Sequence, residues 1–212
     1  MASAYTDENG VFKNRLGITD EQLLQKMEYE LVARRSFELE SGEIQLQVSA
    51  FGLARQQAIH RHLFQDLYDW AGQVRTVPSN KRMDNGLQSR FAEPATIVVE
   101  WQDLEKNTAA FVNSQDTAFE QKHGALAEIF IKANQIHPFI EGNGRSLQVF
   151  MKQLAQEQGI TLDYTKVSPR QWNTASALSG HHGRFFEHVH FIPSQPDFAP
   201  IKKIFADISQ LM

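Results

Sequence analysis

Nine consecutive residues decide the architecture predicted for this chain: His137-Pro138-Phe139-Ile140-Glu141-Gly142-Asn143-Gly144-Arg145. They bring together an imidazole, which is the side chain that titrates near neutrality, a carboxylate, two glycines and a guanidinium. Glycine reaches backbone angles that other residues avoid, so an anion can approach the main chain closely here. The helix predicted next, from Arg145 to Gln158, points its free amides and its dipole toward the same anion. The stretch therefore predicts a polyphosphate site.

Three side chains have distinct predicted roles at such a site. His137 is the candidate general base, because it closes the preceding helix and titrates near neutrality. Glu141 is an oxygen ligand of the type that holds Mg2+ together with phosphate oxygens and water, and Arg145 offers a guanidinium fork to phosphate oxygens. A solvated turn between two helices would also use Pro138 and the glycines, but it would not account for four phosphate-handling groups in one place.

Residues 137–145 resemble the signature of the Fic family, His-x-Phe-x-(Asp/Glu)-Gly-Asn-Gly-Arg. Upstream, the segment from Ile59 to Arg75 is similar to the helix and strand that precede the motif in that family. The resemblance covers the chain from about Asn14 to about Phe191. It implies an all-α helical bundle with a small β-hairpin flap, and an enzyme that moves AMP from ATP onto a hydroxyl side chain of a target protein.

The resemblance also implies a mechanism for this stretch. His137 takes the proton from a target Tyr, Thr or Ser hydroxyl as that hydroxyl attacks the α-phosphate of ATP, while Glu141 holds Mg2+ on the phosphates. The charge that develops on the phosphates and the departing diphosphate is stabilised by main-chain amides and one guanidinium. The residues that bind the nucleotide are then Gly142, Asn143, Gly144 and Arg145.

One position departs from the family pattern. Family members usually carry a second arginine three residues after the first, where it helps to hold the terminal phosphates, and Gln148 occupies that place. Glutamine donates hydrogen bonds but brings no charge. Gln148 is therefore kept as a nucleotide-binding candidate, and its identity puts the affinity or pose of ATP in question rather than the fold.

A hairpin is predicted at about residues 73–92. Residues 73–77 alternate polar and apolar side chains, 84–86 (Asp-Asn-Gly) form a strong turn signal, and 89–91 can return as the second strand. The resemblance implies that this flap holds a target segment by main-chain pairing beside the site. A plain surface hairpin is the alternative. The residues predicted to dock the target are Val74, Arg75, Thr76, Val77, Arg90 and Phe91.

Helical periodicity and end signals predict the remaining elements. The predicted helices cover about 20–41, 53–70, 94–112, 118–136, 145–158, a segment from 169 and 198–211. His60 and His62 lie two apart in one of them and so point to different sides, which predicts ordinary helix histidines rather than a shared metal. We divide the chain into an N-terminal arm (1–16), a Fic domain (17–193) and a C-terminal helical extension (194–212).

Composition limits the partners and the compartment. The 212 residues are 42% hydrophobic and 22% charged, with a formal net charge of −4, which gives no general attraction to nucleic acid or to acidic membranes. The absence of cysteine rules out disulfides and suits a reducing bacterial cytoplasm, with secretion into a host left open. No apolar run is long enough to span a bilayer.

Control of the activity has two alternatives in the sequence. Some Fic proteins block their own site with a helix bearing Ser/Thr-x-x-x-Glu-Gly/Asn, and Ser36 to Glu40 match its first five positions, but Ser41 follows where Gly or Asn is expected. Members without such a helix resemble toxins that are inhibited by a small separate antitoxin, which donates the glutamate. We therefore expect a small helical partner, with self-inhibition through Glu40 as the alternative.

Two other functions stay open at this stage. The chain can be a catalytically silent binding module that keeps the fold and docks partners through the hairpin, an interpretation that Gln148 favours and His137 opposes. It can also be a Fic enzyme that transfers another group, such as phosphoryl or phosphocholine, because a fold does not fix its chemistry.

Overall fold

Two buried helices carry the nine-residue stretch between them. In this computed structural model, which describes residues 4–82, 86–115, 117–186 and 190–212, α4 (Phe119–Ile136) ends just before the stretch and α5 (Asn143–Gln156) begins inside it. Leu126 and Phe130 of α4 and Phe150 of α5 are almost completely buried, as their helical spacing predicts. The motif is therefore held at both ends by the hydrophobic core.

Five further α-helices, together with a short 3-10 helix (Tyr164–Lys166), surround this pair in the described part of the chain. The five α-helices are α1 (Glu21–Glu40), α2 (Leu53–Phe64), α3 (Ile97–Val112), α6 (Pro169–Leu178) and α7 (Ala199–Ile208). Helices α3 and α7 pack on α4, α2 packs on α5, and α1 packs on α2. Asp20 caps α1 by accepting a hydrogen bond from the Leu23 amide at 2.7 Å, which confirms the predicted start.

Helix α2 is shorter than predicted. It ends at Phe64 instead of continuing to about residue 70, and Gly72, with a φ of +78°, turns the chain back along the helix. The Gly72 amide donates to Nδ1 of His60 at 2.9 Å. Trp70 stacks on Tyr68 with ring centroids 4.2 Å apart. These tertiary contacts override the helical periodicity of residues 65–70.

The strands differ most from expectation. A four-stranded antiparallel sheet has the order β1 (Asn80–Arg82), β2 (Gln88–Arg90), β4 (His182–Phe186), β5 (His190–Ser194), and a separate pair joins β3 (Ile160–Leu162) to β6 (Ser209–Leu211). The strand predicted at 73–77 is wrong, because the flap strands begin only at residue 80. The predicted turn residues Asp84 and Asn85 lie outside the described residues.

The C-terminal segment is part of the core. Ile201, Phe205 and Ile208 of α7 are fully buried, and α7 packs along α4. The helix stops at Ile208, earlier than predicted, since residues 209–211 pair with β3 instead. The mostly helical fold with a small flap is confirmed, while the domain boundaries stay predictions. No helix in the described residues is long and apolar enough to cross a membrane.

Candidate active site

His137 occupies a strained position at the end of α4. Its backbone is left-handed, with φ 51° and ψ 66°, and it is the only non-glycine residue with a positive φ in the described ranges. Such a conformation costs on the order of 1 kcal/mol or more, and it persists only where surrounding contacts impose it. The turn ends α4 and directs the chain into the motif.

The imidazole of His137 lies under the flap. The Phe91 ring stacks on it with centroids 3.6 Å apart and planes within 5°. Nδ1 is closed off from solvent, so Nε2 is the nitrogen left to face the cavity. Burial, with smaller contributions from the positive charges of Arg75 and Lys81, lowers the pKa of His137 to about 3. The ring is therefore neutral at physiological pH, and the prediction that it titrates near neutrality is wrong because the ring is buried.

Asn143 closes the motif loop from within. Its side chain accepts from the Phe139 amide at 2.9 Å and donates to the Phe139 carbonyl at 2.8 Å. Phe139 is fully buried. The side chain of Asn143 is thus committed to shaping the loop, and its main-chain amide is the group left for a ligand.

His60 supports the same loop from α2. Nδ1 accepts from the Gly72 amide, so Nε2 carries the proton and donates to the Glu141 carbonyl at 2.9 Å. Desolvation lowers the pKa of this buried histidine to about 4, which keeps it neutral. The interpretation of His60 as an ordinary helix histidine missed this role, because spacing shows which face a side chain takes but not its contact 81 residues away.

The start of α5 offers amides to an anion. Gly142, at φ +79°, precedes the helix and provides no side-chain cap, so the first-turn amides stay available. Gly144 faces open space: a Cβ built there would have no other group within 4 Å. The two glycines therefore serve different purposes, one for the turn and one for access.

Glu141 and Arg145 lie side by side at this helix start. One carboxylate oxygen of Glu141 accepts from the Gly142 amide at 2.9 Å and lies 3.4 Å from the Arg145 guanidinium. The Glu141 side chain is about half exposed, at 46%. Within the described ranges, no group of three or more His, Cys, Asp and Glu residues could hold a metal by itself.

Arg145 is anchored by a residue that the sequence interpretation missed. Its guanidinium donates to Glu28 of α1 at 2.5 Å, and Tyr68 donates its hydroxyl to the other oxygen of the same carboxylate. Burial and the hydrogen bond to Glu28 raise the pKa of Tyr68. The guanidinium also lies 5.0 Å from the centre of the Phe64 ring. This arrangement fixes Arg145 while leaving about a third of its side chain exposed.

A cavity of about 950 Å³ opens in front of His137. It runs between the flap, the end of α4 and α6, and Gly144 lies on its wall. The charged residues that line it in the described structure are all cationic: Lys81, Arg82 and Arg170. A positively charged cavity beside free helix amides suits a polyphosphate.

A smaller cavity of about 190 Å³ lies beside Arg145. Gln148 lines it together with Arg145 and Lys152 of α5 and with Ser36 and Glu40 of α1. The Glu40 carboxylate accepts from Lys152 at 2.9 Å and from the Ser36 hydroxyl at 3.2 Å. Glu40 is therefore paired with Lys152 one turn beyond Gln148, and not with Arg145.

The flap differs from its predicted form. Val74 packs against the core and Arg75 is fully buried, so the side chains of these two predicted docking residues point into the molecule, and their part in target docking stays a prediction. Both lie in a segment tied to the motif loop, since the Arg75 amide donates to the Pro138 carbonyl. Of the other predicted docking residues, Thr76, Val77 and Arg90 are exposed and Phe91 covers His137. Strand β2 is paired on both sides, whereas the exposed strand β1 forms a sheet edge.

Comparison with known proteins places this geometry in a family. The Fic/DOC family model matches residues 51–155, from α2 through nearly all of α5. "Protein adenylyltransferase VbhT" of Bartonella schoenbuchensis is 36% identical over 184 residues, which cover 84% of this chain and 36% of that protein. "Probable protein adenylyltransferase Fic" of Escherichia coli K12 is 32% identical over 166 residues, 78% of each chain. This chain thus spans about a third of the first relative and most of the second.

A solved structure agrees over the whole fold. The N-terminal Fic domain of a VirB-translocated Bep effector protein from Bartonella quintana, with bound ADP, is 25% identical to this chain. It superposes with a TM-score of 0.83, covering 100% of this chain and 97% of that one. The nine-residue motif, its helical frame and these matches show that the chain belongs to the Fic/DOC family.

Proposed function

We propose that this chain is a protein adenylyltransferase, which transfers AMP from ATP to a Tyr, Thr or Ser hydroxyl of a target protein and releases diphosphate. The observation that carries the proposal is the neutral His137 imidazole at a cationic cavity, next to the open amides of α5 and the anchored Arg145. Two relatives named protein adenylyltransferase support the reaction, and the Bartonella quintana domain with bound ADP supports a nucleotide as substrate.

The proposed chemistry uses four groups of this chain. Nε2 of His137 accepts the proton of the target hydroxyl while that oxygen attacks the α-phosphorus. The bond from the α-phosphorus to the oxygen that bridges to the β-phosphate breaks, and diphosphate leaves with the bonding electrons. The amides at Asn143 and Gly144, with Arg145, stabilise the charge that accumulates on the phosphate oxygens.

Glu141 fits a magnesium ion bound with the nucleotide. One of its oxygens is held by the Gly142 amide and the side chain is half exposed, so the second oxygen can reach a ligand. A single carboxylate suits Mg2+, which is bound in such sites mainly by phosphate oxygens and water. When bound, the ion neutralises charge on the phosphates.

The target segment is proposed to pair with strand β1. This strand is fully exposed and lies at the sheet edge, where an added strand can use its free main-chain groups. Lys81 lies on the same strand and lines the cavity, so a segment bound there passes close to His137.

One experiment tests the reaction class. The protein is incubated with Mg2+, a bacterial lysate and ATP labelled at either the α or the γ phosphate, and labelled sites are located by mass spectrometry. Label transferred from the α position, with the mass of AMP on a hydroxyl, supports the proposal. Label from the γ position alone would mean phosphoryl transfer. No label from either position would favour a binding module, the second candidate, which Gln148 favours because no cation stands there.

Gln148→Arg should strengthen ATP binding. The side chain at 148 lines the small cavity beside Arg145, and a second guanidinium there can make charge-assisted contacts with the terminal phosphates. We expect the dissociation constant for ATP to fall about tenfold, equivalent to about 1.4 kcal/mol, as measured by calorimetry. Gln156→Arg is the matched control, because it adds the same charge at an exposed position of α5. Equal or weaker binding by Gln148→Arg would mean that another residue, such as Lys152, already fills this role.

Control of the enzyme is proposed to come from a small helical partner that docks beside the motif and supplies a glutamate. Glu40, the internal candidate, is already paired with Lys152 in the structure. We therefore expect this chain to slow the growth of bacterial cells that express it alone. The Glu40→Gly variant should be no more toxic than the wild type. Growth curves, together with an assay of self-modification, measure the effect of the wild type and of the Glu40→Gly variant. A harmless wild type with a toxic Glu40→Gly variant would contradict the partner and establish self-inhibition.

A further inference from the structure

The most deeply buried cation in the described structure, Arg75, lies behind the active site. It is 1% exposed, and among the described residues its guanidinium hydrogen-bonds to no carboxylate; its partners there are main-chain carbonyl groups. A buried charge is costly unless its hydrogen bonds are satisfied. Such an arginine is a candidate for a specific task.

The guanidinium joins two parts of the chain that meet at His137. Nε donates to the His137 carbonyl at 2.8 Å, and one terminal nitrogen reaches the Ile136 carbonyl at 3.3 Å. The other contacts lie at the two roots of the flap: the Val77 carbonyl at 2.9 Å and the Ala92 carbonyl at 2.5 Å. One side chain therefore holds the end of α4 and both ends of the flap.

Arginine is suited to this task for geometric reasons. Its rigid fork presents five N–H donors, whereas a lysine ammonium has three donors and no plane. The carbonyls at the end of α4 lack partners within the helix and need donors from elsewhere. The contact to His137 falls on the one non-glycine residue with a left-handed backbone in the described part of the chain.

We propose that Arg75 is a positioning residue for catalysis: it fixes the backbone of His137 and the flap roots in register, so that Phe91 keeps the imidazole aimed into the cavity. This inference rests on the proposed role of His137 as base. Phe91 is adjacent to Ala92, so a shift of the Ala92 carbonyl moves the ring that stacks on His137.

Two variants separate geometry from charge. Arg75→Lys keeps a cation but loses the fork, and Arg75→Met removes the charge at similar length. In both we expect the rate of AMP labelling at saturating ATP to fall about ten- to a hundredfold, since small misplacements of a catalytic group have effects of this size. The KM for ATP should stay within about twofold, because Arg75 lines neither cavity. Arg34→Met, on the exposed face of α1, is the control and should keep the wild-type rate.

Nuclear magnetic resonance provides a readout independent of activity. In the wild type, the Nε–H proton of Arg75 should exchange slowly with solvent. In both variants the ring signals of His137 should lose the shift caused by the stacked Phe91. Fast exchange in the wild type would overturn the proposal, even if neither variant folds. It would also be overturned if the variants fold but leave the His137 signals and the labelling rate unchanged. Full labelling by His137→Ala would instead refute the proposed role of His137 as base, while these signals would still report whether Arg75 fixes the ring.

Discussion

Replacing His137 by alanine should lower AMP transfer at least about a hundredfold, which is the usual loss when a positioned proton acceptor is removed. The fold and ATP binding should be retained, since in the proposed pose the phosphates are held by the start of α5 and by Arg145. The measurement is transfer of α-labelled phosphate into target protein, with calorimetry for ATP affinity. His123→Ala, near the other end of α4, is the control and should label at the wild-type rate. Undiminished labelling by His137→Ala would remove His137 from the role of base.

The pH dependence adds a second check on the same residue. Burial lowers the pKa of His137 to about 3, against an ordinary value of about 6.5. The neutral ring is the active form, so it persists as the pH falls until that lowered pKa is reached. The acid limb of the kcat/KM profile, which reports the free enzyme, should therefore lie well below pH 6.5. An acid limb at about pH 6.5 that depends on His137 would contradict the buried environment of the ring.

Sequence reasoning found the parts of the site that are local. Helical periodicity identified α4 and α5, because their apolar faces pack into the core at regular spacing. The motif between them was recognised because its chemistry is concentrated in nine positions. Both predictions depend on residues that lie close together in the chain.

The long-range contacts could not be predicted in the same way. Glu28 lies 117 residues before its partner Arg145, and its position in α1 looks like that of any glutamate on a helix. His60 and Arg75 likewise contact backbone far along the chain. Because every residue has a backbone carbonyl, the sequence does not show which of them accepts these hydrogen bonds. Strand β4 pairs with β2 across about ninety residues, which no local pattern indicates.

The error at residues 73–77 has a physical cause. Alternating polar and apolar residues predict that Val74 faces the core and Arg75 faces water. In the structure Val74 is only partly buried and Arg75 is the buried residue, because the carbonyls around it require its donors. A tertiary contact here overrides the hydrophobic pattern, as expected where local and tertiary preferences conflict.

The two glycines of the motif lie in opposite surroundings, so replacing each of them should have a different effect. At Gly142 the φ is +79°, and an added Cβ would lie 2.3 Å from Cζ of the fully buried Phe64 and 3.1 Å from Nε2 of His60. At Gly144 the backbone is helical and an added Cβ meets nothing within 4 Å. Gly142 is therefore required by the fold, whereas Gly144 is required by the proposed function, in which a phosphate needs the space.

Gly142→Ala should lower the free energy of unfolding by about 2 to 5 kcal/mol, combining a left-handed alanine with overpacking of the core. Gly144→Ala should keep or raise that free energy by up to about 1 kcal/mol, because alanine favours the helix. Yet its methyl group stands where the nucleotide approaches the amides of α5, so ATP affinity and AMP labelling should fall together in a stable protein. Denaturant titration and calorimetry on both variants measure these effects. If Gly144→Ala binds ATP as the wild type does, the phosphates do not approach the start of α5, and the proposed pose of the nucleotide is wrong.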